Sequence, residues 1–388
     1  MTCGALKADP LSVEPLIGVS AEYSSNPSLS TLNPHHVNDE ALSVNVPLSY
    51  DLDSTRYTLE PSARYSDKGS YSSLDSDYYR LVGTASYSSD RQSLSLKANA
   101  SRDSSFQQYA LASNGVGVRA DSLNGGGEWQ YALSERFGLD ATANVSRVLY
   151  NDSATLTGLV DYRYVSELIG PTYALSERDT LQLSASASQY ESLDHITSSH
   201  SAAAQIGLKR LLTELWSLST TLGYAKSENS QTLYLGPVYI DGLKFGPYYL
   251  GTAKSDQRGP VFSVALKRQS ETLTVGANAS RAYAPTGFEY LSRQDVVELD
   301  LSKTVSERWS YSGRVSYEDT STTAYGGVTY TTYYYSGQLS ATWHFTPEWM
   351  MSLESTWIGA RYSPPSASAE STSVSLQISR KFLRIDLW

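Results

Sequence analysis

Along much of this chain apolar and polar residues alternate one for one. Phe137, Leu139, Ala141, Ala143 and Val145 are interleaved with Gly138, Asp140, Thr142, Asn144 and Ser146. A period of two belongs to a β-strand with one apolar and one polar row. The pattern returns at Trp309, Tyr311, Gly313, Val315 and Tyr317, at Tyr333, Tyr335, Gly337, Leu339, Ala341 and Trp343, and at Trp349, Met351, Leu353 and Trp357. Leu42, Val44, Val46, Leu48 and Tyr50 open the series. No run of about 18 apolar residues occurs, which excludes a helical membrane span.

A short phrase punctuates these strands. Ser134-Glu135-Arg136, Ser176-Glu177-Arg178 and Ser306-Glu307-Arg308 each follow one alternating stretch and precede another, with looser versions at Glu214, Glu271 and Glu348. Each marks a tight turn between antiparallel strands, and "DLDST" at 51–55 and "SSDRQ" at 88–92 add two more. The intervening links are longer and rich in Gly, Pro, Ser and Asn. With an opening strand near 12–23 and a closing one near 371–388, the count is about eighteen strands, with 16 or 20 as alternatives. The expected fold is all-β: a transmembrane antiparallel up-and-down β-barrel with short turns on one side and long loops on the other. It forms one domain over 12–388, after a short segment 1–11, with a large loop at about 227–256.

Alternation alone also describes a soluble sandwich. Three features favour a lipid-facing barrel. Aromatic residues concentrate at the ends of the apolar rows, as in interfacial girdles. The polar rows are mostly Ser, Thr, Asn and Gln, where a soluble surface carries mainly charges. Short and long links alternate strictly. Only 18% of residues are charged and there are 30 tyrosines, against roughly 25% charge in typical soluble domains. A formal charge of -10 argues against a nucleic-acid partner, and a single cysteine, Cys3, excludes a disulfide framework. "MTCGALKADP" is too polar and short for a signal peptide, so an exported form would have lost its signal already.

The opening "PLIGVSAEYSSNPSL" resembles the first strand of β-barrel porins found with exopolysaccharide export systems. Tyr23 and Asn26 match a Tyr-x-Asp-Asn ending, while Ser25 stands where that motif has aspartate. The resemblance implies a location in the bacterial outer membrane, saccharide passage and a periplasmic export partner. Outer-membrane barrels also commonly end in an aromatic residue, here Trp388. Arg384 and Asp386 occupy its row, so a one-residue bulge near Phe382 is expected.

If one row meets lipid, the other lines a lumen, which at this strand number is wide enough for an aqueous channel. The candidate lining charges are Glu60, Arg64, Arg80, Lys97, Glu128, Asp140, Asp161, Arg163, Arg314 and Glu354. Tyr234, Tyr239, Phe245, Tyr248 and Tyr249, in a Gly-Pro-rich stretch, are candidate saccharide contacts. Arg102, Arg147 and Arg281 end the repeats "ANASR", "ANVSR" and "ANASR" at the far ends of strands. They are candidate contacts for lipopolysaccharide phosphates. The five histidines show no base-and-partner arrangement, no glycine-rich phosphate loop is present, and no cofactor, metal or catalytic activity is expected. The functional expectation is a passive hydrophilic pore, and the alternative is a receptor or scaffold barrel with a closed lumen.

Overall fold

The computed structural model describes residues 11–27, 29–31, 34–67, 76–103, 120–150, 160–235, 238–240, 243–245, 248–285, 291–323, 329–363 and 366–387. Segment 1–10 and Trp388 lie outside them.

The first elements are β1 (Leu11–Val13), β2 (Leu16–Ser24), β3 (Val37–Asn45), β4 (Leu48–Leu52), β5 (Thr55–Asp67), β6 (Ser76–Ser88), β7 (Gln92–Asp103) and β8 (Ala120–Ala132). The next are β9 (Phe137–Tyr150), β10 (Tyr162–Ala174), β11 (Asp179–Ser192), β12 (Thr197–Leu211), β13 (Trp216–Leu235), β14 (Val238–Ile240), β15 (Leu243–Phe245) and β16 (Tyr248–Gln269). The series ends with β17 (Leu273–Pro285), β18 (Leu291–Thr304), β19 (Trp309–Thr323), β20 (Thr329–His344), β21 (Trp349–Ser363), β22 (Ala367–Lys381) and β23 (Ile385–Leu387).

Three of the barrel's staves are interrupted strands: β1 with β2, β3 with β4, and β22 with β23. β14 and β15 form a separate small hairpin. The remainder is a closed antiparallel barrel of 18 strands, each pairing with its sequence neighbours. β2 closes the circle against β22, from Leu16 opposite Lys381 to Ser24 opposite Ser373. Closure removes every sheet edge, the condition for a sheet in hydrocarbon.

The recurring Ser or Thr explains the turns. Ser134 Oγ accepts hydrogen bonds from the backbone N–H of Arg136 and Phe137 at 3.4 and 3.1 Å. Ser176 Oγ does the same for Arg178 and Asp179 at 3.1 and 3.0 Å. Thr213, Ser306 and Thr346 repeat the pattern. The side chain satisfies donors that a tight turn would otherwise leave to water. The phrase is therefore a turn staple.

One row of each strand faces outward and is mainly apolar, with charges toward its ends. Val19, Leu42, Leu81, Leu96, Leu123, Val145, Ile169, Leu183, Leu222, Leu299, Val315, Leu339 and Leu353 are all exposed there. So much apolar surface on a protein is stable only against lipid. The rows end in aromatic belts. Trp309 stacks on Trp343 at 5.7 Å and Phe345 on Trp349 at 6.3 Å near the short turns. Tyr317 meets Tyr333 at 6.5 Å and Tyr335 meets Trp357 at 4.9 Å near the other end. Together these features make the chain a multi-pass outer-membrane β-barrel.

Two expectations change in detail. The closing strand breaks over residues 382–384, a longer interruption than a one-residue bulge. Its neighbours break in register at residues 14–15 and 46–47, so the ladder resumes as β23–β1–β4. Two of these breaks contain a proline, Pro15 and Pro47, which cannot donate to a ladder. The segment 227–256 is mostly a ribbon: β13 and β16 run for 20 and 22 residues and pair from Trp216 opposite Arg268 to Leu235 opposite Tyr248. A strand needs roughly 9–11 residues to cross the hydrocarbon, so the ribbon rises on the order of 30 Å beyond it.

Candidate functional site

The candidate site is the inner wall. The strand register places Glu60, Arg64, Arg80, Lys97, Glu128, Asp140, Arg314 and Glu354 on the inward row, opposite in phase to the exposed apolar residues. Arg64 Nη2 is 3.1 Å from Asp39 Oδ2, and Ser66 Oγ donates to the other oxygen of Asp39 at 2.7 Å. Arg314 Nε is 3.7 Å from Glu298. Glu354 accepts from Thr356 Oγ1 at 3.4 Å. Among the described residues, two of these eight inward charges, Arg64 and Arg314, are in ion pairs, and the other six, Glu60, Arg80, Lys97, Glu128, Asp140 and Glu354, are not.

Two of the predicted lining residues are elsewhere. Arg163 is on the outward row of β10, with Val165, Ile169 and Tyr173, and its Nη2 is 2.7 Å from Glu191 Oε2. Asp161 precedes β10 and accepts the backbone N–H of Tyr150 at 2.7 Å through Oδ1, tying the end of β9. Tyr162 and Tyr164 suggest a lipid-facing aromatic row, yet they face inward, where Tyr162 packs on Tyr190 at 5.2 Å.

The inward row also brings together residues that the sequence reading did not single out. Asn99 is opposite Asn124, and Asn124 opposite Ser146. Arg80 Nε donates to Asn99 Oδ1 at 3.1 Å, and Ser146 Oγ donates to Asn124 Oδ1 at 2.6 Å. With Lys97, Glu128 and Asn144 they line a lumenal recess of about 510 Å³. Extending each apolar row by steps of two would have placed them. The recess offers a guanidinium, an ammonium and a carboxylate among amides, a set able to orient a polar solute without fixing one sign of charge.

Between the charges the wall is neutral. Thr58 meets Thr84 at 2.6 Å, Ser101 meets Ser122 at 2.7 Å, Ser316 meets Ser336 at 2.7 Å and Ser312 meets Ser340 at 2.8 Å. All four are directly opposed pairs in the ladder. Such cross-strand hydroxyl pairs stabilise the sheet while keeping spare acceptor capacity toward water.

At the rim away from the short turns, Arg102, Arg147 and Arg281 all lie on the outward row. Asp121 holds Arg102 with two bonds of 2.7 and 2.9 Å. Asp295 holds Arg281 at 2.5 and 2.8 Å, and the Arg281 guanidinium lies 5.8 Å from the centre of the Phe262 ring. Arg147 has no acidic partner among the described residues and stands opposite Arg163. Of the tyrosine-rich stretch, Tyr249 is exposed and its hydroxyl is 3.0 Å from Thr252 Oγ1. The side chains of Tyr234, Tyr239, Phe245 and Tyr248 lie outside the described residues.

No family model and no curated protein matches the chain. Solved structures do. OccAB3 of Acinetobacter baumannii is similar at 11% identity and a TM-score of 0.47, over 96% of this chain and 99% of that one. Pseudomonas aeruginosa OccK2, solved with glucuronate, has 11% identity and a TM-score of 0.47 over 96% and 98%. The closed form of the ferric-catecholate import receptor Fiu of E. coli K12 has 7% identity and a TM-score of 0.49 over 95% and 81%. The architecture of the present chain rests on its own strand pairing.

Proposed function

We propose that this barrel is an outer-membrane pore through which hydrophilic solutes, saccharides foremost, pass passively. The observation that carries the reading is the inner wall, in which unpaired charges of both signs are spaced among hydroxyls and amides. Such groups exchange hydrogen bonds with water for hydrogen bonds with solute hydroxyls at little net cost. Export of an exopolysaccharide, with a periplasmic partner at the short turns, is supported by the resemblance of the opening strand. Catalysis has no part in this reading. Reconstitution of the purified protein in planar bilayers tests it, with large steady conductance and sugar-driven swelling of loaded liposomes as the expected result. A membrane that stays sealed at saturating protein would end the pore reading.

A second reading is favoured by one observation, the tall β13–β16 ribbon. A ladder carried on the order of 30 Å past the hydrocarbon suits a surface receptor that grips an external partner while the lumen stays closed. Among lipid contacts, Arg147 is the rim arginine whose charge is most available to lipopolysaccharide phosphate, because aspartates already take up Arg102 and Arg281.

A further inference from the structure

On the inner wall near the outer rim, a stretch spanning β9 to β13 carries no inward charge. Neighbouring strands place Asn144, Ser166, Ser188, Ser201 and Ser227 directly opposite one another in a single continuous row. The first four of these, with Gln205 two rows below, line a cavity of about 370 Å³. That is within the size range of sites for small organic ligands, roughly 300–1,000 Å³. Glu167 and Arg281 also border it, but both belong to the outward rows, and Asp295 takes up the Arg281 guanidinium.

The next row toward the rim is Tyr164, Tyr190, Ser199 and Asn229. One side chain of this row, that of Asn229, is buried without the partners that burial demands. Asn229 is 2% exposed, and neither its amide nitrogen nor its amide oxygen has a hydrogen-bond partner. Ser227 Oγ and Thr197 Oγ1 are likewise buried and unpaired. Leu291, the first residue of β18, reaches across to donate its backbone N–H to Ser199 Oγ at 3.4 Å and is itself fully buried. A leucine side chain cannot satisfy an amide. Unpaired buried polar groups at this density point to occupants that donate and accept hydrogen bonds.

We infer that this cavity, together with Asn229, Ser227 and Thr197 above it, is a binding subsite for a neutral polyhydroxylated solute, a saccharide ring. The chemistry selects the class. A primary amide with both atoms free can donate to one hydroxyl and accept from its neighbour, and vicinal hydroxyls recur around a sugar ring. Serine hydroxyls do either. Tyr162, tilted against the fully buried Tyr190 at 5.2 Å, adds an aromatic side chain beside them. An anion or cation would find no counter-charge on this part of the wall and would lose hydration without compensation. The inference deepens the pore reading and rests on it for the route by which solute arrives.

The test uses the full-length barrel in detergent and in planar bilayers, with maltotriose as probe and gluconate as a charged control. Saturation-transfer NMR measures binding, and ion current measures conductance and its block. Wild-type protein is expected to bind maltotriose and to show a partial block of current, with little response to gluconate. Asn229→Leu is expected to weaken maltotriose binding at least about tenfold. Retained heat-modifiable mobility in gels shows that this variant is folded, and Ser201→Val provides a second, independent lesion with the same expected direction. Conductance without maltotriose binding, or equal binding by wild type and both variants, overturns the subsite and leaves the pore reading standing. Binding that is lost in Asn229→Leu, in a protein that never conducts, supports the subsite and removes the pore.

Discussion

Arg147 of β9 and Arg163 of β10 stand directly opposite one another with both side chains on the outward face. Like charges in that relation are destabilising, and the nearest carboxylate, Glu191, is already shared between Arg163 at 2.7 Å and His195 at 2.8 Å. The pair is therefore expected to attract an external anion, and we propose lipid phosphate as that anion. Arg147→Gln is expected to remove more co-purifying lipopolysaccharide than Arg102→Gln or Arg281→Gln. Mass spectrometry of lipid retained by each variant decides the matter. Equal retention in all three would show that the rim arginines are only paired strand ends.

The wall charges make a separate prediction. Arg80 and Lys97, on the neighbouring strands β6 and β7, are inward cations in the lumenal recess, and neither has a carboxylate partner among the described residues. Replacing both with glutamine should shift the reversal potential in a salt gradient toward cation selectivity, since Glu60, Glu128 and Asp140 remain. Arg314→Gln, which removes a cation already next to Glu298, should shift it less. A larger shift from Arg314→Gln would place the narrowest part of the path beside β19.

The barrel and its strand number were legible because two signals agreed: the two-residue period and the recurring Ser or Thr turn. The seryl phrase could be read as a turn from sequence, but not as a donor-satisfying staple, since that depends on where Oγ points. Reading failed where a row was defined by its ends. In β10 the inward Tyr162 and Tyr164 mimic a lipid-facing row, and only Val165, Ile169 and Tyr173 reveal the phase that carries Arg163 outward. The neutral subsite was invisible for another reason: serine is so common here that only the register shows Ser166, Ser188, Ser201 and Ser227 in one line.

The turn staple predicts a graded stability series. Ser176→Ala removes two accepted hydrogen bonds and the one that Ser176 Oγ donates to Asp179 at 3.0 Å. A loss of about 1 kcal/mol is expected from urea unfolding in lipid vesicles, because exposed turn bonds contribute at the low end of roughly 0.5–1.5 kcal/mol each. Ser176→Thr should be close to neutral, as Thr213 and Thr346 fill the same role. Equal losses from the alanine and threonine variants would mean that the hydroxyl is not what holds the turn.

Gly170 predicts a sharper failure. A Cβ there would fall onto the backbone carbonyl of Leu183 in β11, and backbone cannot swing aside as a side-chain tip can. Pro171 follows immediately and has no N–H to offer the ladder, so the two strands approach closely where one hydrogen bond is missing. Gly170→Ala should cost about 1–3 kcal/mol as an overpacked site, whereas Gly337→Ala, with open space around it, should be near neutral. The same unfolding assay measures both, and a tolerated Gly170→Ala would show that β10 and β11 can separate locally.

The closing seam predicts a pH dependence. Glu14 sits in the break between β1 and β2, past the end of β2 at the level of the short turns, with Oε2 2.7 Å from Lys381 Nζ. The hydrogen bond and positive charge of Lys381 hold the Glu14 carboxyl below its ordinary value of 4.5. A carboxyl whose pKa is lowered by folding adds stability that is fully present above the unfolded value. That contribution disappears as pH falls through the folded one. Wild type should therefore exceed Glu14→Gln in unfolding midpoint near neutrality, and the gap should close as pH drops below about 4.5. High salt should also narrow it, because the pair is solvent-exposed. A gap that is constant from neutral to acidic pH would mean that Glu14 holds the seam by packing and not by charge.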